Sequence, residues 1–172
     1  MKKTTLIYFF LMIFSVQVVI VSCSGDDDDQ GLTELIATDE TFANFSSFQL
    51  HTTRFGADPS LGPAHGGNDA TAQRKIYFKD NVAPVNGKYP IGAVIVKHST
   101  NTAGTLNEIT AMVKRGNNFD ASGNDWEYFM LTPEGKIAKD QNGNLLRGGE
   151  SLLGGACKSC HGKAAKDFIF TK

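Results

Sequence analysis

Phe42, Phe45 and Phe48, with Ala43 among them, recur at the spacing of one helix face. The segment Asp39 to Phe48 is therefore expected to be a short amphipathic helix, capped by Thr38 or Asp39. Glycine, proline and small polar residues dominate from His51 to Asp69, which predicts a long ordered loop. Loops of that length usually serve a function. The period then changes. Arg74 to Phe78 reads as a strand, Asn86-Gly87 as a turn, and Ala93 to His98 as a β-branched, buried strand. Leu106 to Lys114 and Trp126 to Leu131 are two more strands, separated by a Gly/Asn/Asp loop. Asp140 to Gly149 is polar and glycine-rich, Ser151 to Ala165 reads as helix and loop, and Phe168 to Phe170 as a short closing strand. On the Ala93–His98 strand, Ala93, Ile95 and Lys97 face one way and Val94, Val96 and His98 the other. Strands joined by tight turns give an α+β fold, mainly antiparallel sheet with a few short helices.

Composition changes this picture little. A chain of 172 residues suits one domain, and a formal net charge of −1 gives no basic field to attract nucleic acid. The N-terminus adds more. Met1-Lys2-Lys3 is a basic start, Thr4 to Val21 carries no charge, and the stretch ends at Ile20-Val21-Ser22-Cys23. This has the form of a secretory leader, and its end resembles a bacterial lipobox, cut before a cysteine that is then acylated. An uncleaved membrane helix is the alternative, but the apolar stretch falls slightly short of the ~20 residues a span needs. The expected organisation is a signal peptide over 1–22, a tether over 23–37 beginning at lipidated Cys23, and a folded domain over 38–172. Asp26 to Asp29 would keep the tether extended. That acidic run also resembles an export signal of some surface lipoproteins. The expected location is the membrane-anchored periplasmic or cell-surface side of a bacterial outer membrane.

Cys157-Lys158-Ser159-Cys160-His161 is a C-x-x-C-H motif, the attachment signature of c-type haem. Two thiols must reach the two vinyl groups of one porphyrin, and the following histidine supplies the proximal ligand to iron. A structural zinc site would need a second ligand pair, which the sequence lacks. A thioredoxin-type motif would need a βαβ context. A Cys157–Cys160 disulfide is possible in an oxidising compartment, but it leaves His161 unexplained. With Cys23 assigned to lipid, all three cysteines are used.

Several blocks together resemble the cytochrome P-460 family: Tyr89 to Lys97 (Tyr-Pro-Ile-Gly-Ala-Val-Ile-Val-Lys), Asp125 to Leu131, the haem motif, and Asp167-Phe168-Ile169-Phe170-Thr171. Arg74-Lys75-Ile76-Tyr77 fits a further strand, and the resemblance spans roughly residues 38–172. It implies a mainly β, dimeric, periplasmic protein with one covalent haem c and an open distal side. In the family's enzymes a lysine is also bonded to the porphyrin, and hydroxylamine is oxidised. Lys97 stands at that lysine's position. A related branch, cytochrome c′-beta, lacks the cross-link and binds NO behind a phenylalanine cap. Catalytic members carry a carboxylate on the next strand, where this chain has Thr110, with Glu108 two residues earlier on the same strand face. Arg74 falls where the family places a basic residue near haem, and a surface strand position is its other reading.

A lysine held in apolar surroundings loses proton affinity and gains nucleophilicity; the other reading of Lys97 is a strand-end residue reaching solvent. His51, His65 and His98 are each possible sixth ligands to iron, and nothing in the sequence singles one out. Met112 and Met130 read as core, and so mostly do Phe42, Phe45, Phe55, Phe78 and Phe129. Three functions compete: oxidation of hydroxylamine or NO, NO or gas binding without turnover, and electron transfer to a redox partner protein.

Overall fold

The computed structural model describes residues 33–61 and 65–170. The signal peptide, Cys23 and the acidic run expected from the sequence lie outside the described residues. Strands β1 (Gln49–Phe55), β2 (Gln73–Phe78), β3 (Val94–Thr100), β4 (Asn107–Lys114), β5 (Trp126–Leu131) and β6 (Arg147–Gly148) form an antiparallel sheet in chain order. Two short helices, α1 (Asp39–Phe42) and α2 (Ala156–His161), complete the α+β fold.

Both faces of the sheet are covered. On one face Val94 and Val96 of β3, Ile109, Ala111 and Val113 of β4, and Phe129 and Leu131 of β5 pack against Phe42 and Phe45. On the other, Ala93, Ile95, Met112, Trp126 and Tyr128 pack against Phe78, Tyr89, Leu152 and Ile169. The alternation expected along β3 is thus the division between two cores. Full burial of Phe42 or Phe129 contributes about 1.5–3 kcal/mol each. Glu127 is buried on the first face, where it accepts two hydrogen bonds from the Arg147 guanidinium, at 2.6 and 2.9 Å. Arg147 also donates to the Ala37 carbonyl at 2.7 Å, which ties the start of the domain to β5.

Four local expectations are corrected. The helix expected over Asp39 to Phe48 is interrupted: Asn44 takes a left-handed backbone (φ 54°), so α1 stops at Phe42 and a separate 3-10 turn, Phe45–Ser47, follows. The loop expected from His51 begins later, because β1 runs to Phe55 as an edge strand. Its outer face is polar and Phe55 is 73% exposed, so β1 lacks the apolar alternation that marks an inner strand, and Phe55 is not a core residue. The polar stretch from Asp140 contributes the two-residue strand β6. Phe168 to Phe170 is not a strand but a tight turn, with Asp167 (φ 40°) and Phe168 (φ 64°) both left-handed. Residues just before 38 also make contacts with the sheet and its loops. The Leu35 N–H donates to the Arg115 carbonyl at 2.8 Å, Glu34 pairs with Arg115, and Ala37 is fully buried.

Candidate functional site

Cys157, Cys160 and His161 lie on α2 at positions i, i+3 and i+4, so the helix turns all three to one face. That face lines a cavity whose opposite wall is the second face of the sheet. Strand register orders this wall. Ile76, Lys97, Thr110 and Met130 are cross-strand partners in one row. Arg54, Arg74, Ser99 and Glu108 form a second row, and Phe78, Ile95, Met112 and Tyr128 a third. Asp58, Ser60, Leu61 and His65, from the β1–β2 connection, roof the cavity. The cavity itself holds about 120 Å³.

His161 is set up as a ligand. Its Nδ1–H donates to the Phe168 carbonyl at 2.8 Å. A carbonyl only accepts, so Nδ1 carries the proton and Nε2 keeps its lone pair. Burial pulls this imidazole down to about 4, against the smaller upward pull of the Phe168 hydrogen bond, so it is a free base at neutral pH. The accepting carbonyl is itself anchored. The Asp167 carboxylate, wholly buried, receives Lys114 Nζ at 2.9 and 3.0 Å and the Tyr89 N–H at 2.7 Å. The Asp167 carbonyl takes the Trp126 Nε1–H at 2.8 Å. Cys157 and Cys160 are free thiols, both partly buried, and burial pushes the Cys157 thiol up.

Lys97 lines the cavity directly opposite Thr110. No hydrogen bond or ion pair engages its Nζ among the described residues. Burial lowers it to about 8, although the nearby Glu108 charge works the other way. At pH 7 roughly a tenth of such amines are neutral, far more than for an ordinary lysine. The reading as a solvent-facing strand end does not hold.

Arg74 is likewise not a surface residue. It is 3% exposed, and its guanidinium donates to the Gly56 carbonyl at 2.7 Å and Asn68 Oδ1 at 3.1 Å, fastening the roof loop to the sheet. Glu108 lies in the Arg74 row, above Thr110. It accepts the Gly66 N–H at 2.9 Å and faces His65 Nδ1 at 3.3 Å. Burial alone would raise this carboxyl, but the hydrogen bonds from His65 and Gly66 and the Lys97 charge together hold it below the usual carboxylate range.

Of the three candidate sixth ligands, only His65 reaches the cavity. His51 is exposed and stacked on Phe78, and His98 lies on the other sheet face, bonded to Asn107. Met112 and Met130 line the cavity as well as packing in the sheet. Asp167 and Tyr128 escaped the sequence reading, because each acquires its role only through contacts distant in the chain. The Tyr128 hydroxyl, on the cavity wall, is buried with no hydrogen-bond partner among the described residues. Native structures leave few such groups unsatisfied. Two thiols, a neutral imidazole with an open Nε2, an apolar wall and an orphaned hydroxyl fit a covalently held haem. They do not fit a multi-ligand metal cluster, and the described residues contain no group of three or more His, Cys, Asp or Glu side chains arranged to hold an ion.

No curated protein matches the chain. No solved structure matches it either. The family model for cytochrome P-460 matches residues 58–171, a span that includes the roof loop, strands β2 to β6 and all of α2. Such membership implies the haem c class of cofactor and is consistent with a haem-dependent oxidoreductase role. On that match, and on a sheet, cavity and helix that agree with it, the chain belongs to the cytochrome P-460 family.

Proposed function

We propose that this protein is an exported, lipid-anchored cytochrome with one covalent haem c, acting on small nitrogen compounds such as hydroxylamine or NO at an open iron site. The observation that carries the reading is the convergence of Cys157, Cys160, His161 and Lys97 on one cavity. Cys157 and Cys160 would hold the porphyrin through thioethers, His161 would hold the iron through Nε2, and Lys97 would make a third covalent attachment. When bound, the group supplies a redox-active iron that coordinates and oxidises a small nitrogen ligand. The chain's own residues do the rest. Ile95, Met112 and Ile76 keep the wall apolar and exclude water, and Thr110 can hydrogen-bond a bound ligand. Two carboxylates could take a proton: Asp58, which lines the cavity, and Glu108, on the same strand face as Thr110 and two residues before it. The exposed Leu50 and Phe55 of edge strand β1 support pairing with a second copy. The redox partner protein would dock where the porphyrin edge meets solvent.

A second reading, NO or gas binding without turnover, is favoured by one feature. Thr110, not a carboxylate, faces Lys97, and Glu108 is already engaged by His65 and Gly66. A threonine is no general base near neutral pH, and a carboxylate held low is a weak one.

Lys97→Arg separates the two. If Lys97 bonds to the ring, the wild-type ferrous Soret band is strongly red-shifted. Arginine, always protonated and a poor nucleophile, returns the band to the ordinary c-type position while thioether haem is kept. Hydroxylamine-dependent reduction of an added electron acceptor should be lost as well. Identical wild-type and Lys97→Arg spectra would remove the cross-link and move gas binding to first place.

The anchor has its own test. Cys23→Ala should leave the protein unprocessed or shift it from the membrane fraction to the soluble one, because acylation needs that thiol. A variant still lipidated and membrane-bound would contradict the anchor.

A further inference from the structure

Lys158 stands between the two cysteines of α2, and its side chain leaves the helix for the connection between β4 and β5. Its Nζ donates to Asp120 Oδ1 at 2.9 Å and to Ser122 Oγ at 2.5 Å. Glu150 Oε2 lies 3.4 Å away, on the exposed rim. At about 100° per residue, Lys158 falls on the flank of α2, between the face that carries Cys157, Cys160 and His161 and the back of the helix. A tether on the flank resists rotation about the helix axis. This helix needs such a tether. It has six residues and no side-chain bond at its N-cap, and it follows three left-handed residues, Leu153, Gly154 and Gly155. So short a helix is not stable on its own.

We propose that Asp120 is a positioning residue for the iron: through Lys158 it fixes the rotation of α2, and so the angle at which His161 Nε2 meets the metal. The proposal rests on the haem reading above and deepens it. An outer partner that orients a ligand tunes the metal without touching it. An exposed ion pair would contribute little. Here the side chains of Lys158 and Asp120 are only 15% and 7% exposed, so loss of either partner leaves a poorly solvated charge behind.

Asp120 is itself firmly held. Its N–H donates to Asp125 Oδ1 at 3.0 Å, and the Asp125 N–H donates back to the Asp120 carbonyl at 2.8 Å. Oδ1 also accepts the Gly123 N–H at 2.9 Å and the Ser122 hydroxyl at 3.0 Å. Oδ2 is buried with no hydrogen-bond partner among the described residues. It lies against Gly123 and Gly149, where an added Cβ would come within 2.6 and 3.0 Å of it. The two glycines thus leave a socket for the carboxylate, and all its hydrogen bonds pass through the oxygen that meets Lys158. The same connection reaches the other restraint on the ligand. Asn124 Nδ2 donates to Asp167 Oδ1 at 3.2 Å, and the turn at Asp167–Phe168 presents the carbonyl that holds His161 Nδ1. One loop therefore braces both the helix that carries His161 and the turn that orients its ring.

The test uses full-length protein exported and matured with haem. Resonance Raman spectra of the ferrous form read the iron–histidine stretch, and a redox titration reads the potential. Lys158→Met and Asp120→Asn should keep covalent haem on a denaturing gel. Both should move the iron–histidine band to lower frequency and broaden it, because a helix free to turn offers a spread of poorer angles. The potential should rise in both, since weaker imidazole donation favours ferrous iron. The double variant should go no further than the stronger single one, as for two residues on one path. Lys158→Arg, which keeps the charge and the donors, should restore the wild-type band. Lys158→Gln keeps a donor without the charge and should lie between the two; it serves if the methionine variant folds poorly. A wild-type band and potential in Lys158→Met and Asp120→Asn, even with a lower midpoint of urea unfolding, would make the pair merely stabilising and overturn the proposal alone. A shift in Lys158→Arg as large as in Lys158→Met would detach the effect from the Asp120 pair and overturn it too. A wild type carrying no covalent haem overturns the haem reading and this proposal together.

Discussion

Replacing Cys157 and Cys160 together by serine is expected to abolish covalent haem while leaving the folded domain in place. Both thiols are free and lie on one face of α2, so no disulfide is lost with them. Serine is close in volume and its hydroxyl is tolerated at a partly buried helix position. It cannot form a thioether, because a hydroxyl lacks the nucleophilicity of a thiolate toward the vinyl groups. Haem-stained denaturing gels of exported protein should show a strong band for wild type and a weaker one for either single variant. The double variant should show none. A stained band in the double variant would mean that the attachment lies elsewhere. Unchanged circular dichroism of the refolded apo forms would show that the loss is chemical and not a failure to fold.

Asp167→Ala should be the most destabilising single change at the site. The Asp167 side chain is fully buried, and it is the ion-pair partner of Lys114, whose side chain is 9% exposed. Removing the carboxylate leaves a buried ammonium uncompensated, a loss of about 3–5 kcal/mol. It also leaves the Tyr89 N–H without its acceptor. Against a typical total of 5–15 kcal/mol that is a large fraction. The midpoint of urea unfolding should fall sharply with little change in slope. The same change frees the left-handed turn at Asp167–Phe168, whose carbonyl holds His161, so haem incorporation should drop in parallel. Asp167→Asn keeps the shape and an acceptor and should lie between the two. An alanine variant with wild-type unfolding and full haem content would show that the Lys114 pair does not hold this turn.

The parts of this account legible in the sequence are those that depend on near neighbours in the chain. The two-residue period from Ala93 to His98 places Lys97 with Ile95 and away from Val96, and the structure divides its two cores along that line. The spacing of Cys157, Cys160 and His161 is enough to put them on one helix face. The illegible parts depend on contacts across the chain. β1 is a strand because β2 pairs with it, not because Gln49 to Phe55 alternates in polarity. Nothing near His65 distinguishes it from His51 or His98. Its partner Glu108 lies 43 positions away, on a strand that must be paired before the two can meet. The aromatic run at Phe168 to Phe170 reads as a strand by composition, yet Asp167 bends it into a turn by bonding Lys114 and Tyr89. Asn44 breaks the first helix in the same way, through a backbone conformation that its residue type permits but does not announce.

The central claim is that Cys157, Cys160 and His161 carry a haem, and the intact mass of the exported wild-type protein tests it most directly. The mature chain should weigh its polypeptide and the acyl groups on Cys23 plus one haem, and proteolysis should place that haem on the peptide containing both Cys157 and Cys160. A mass lower than the bare chain by two hydrogens, with those two cysteines joined to each other, would contradict the claim.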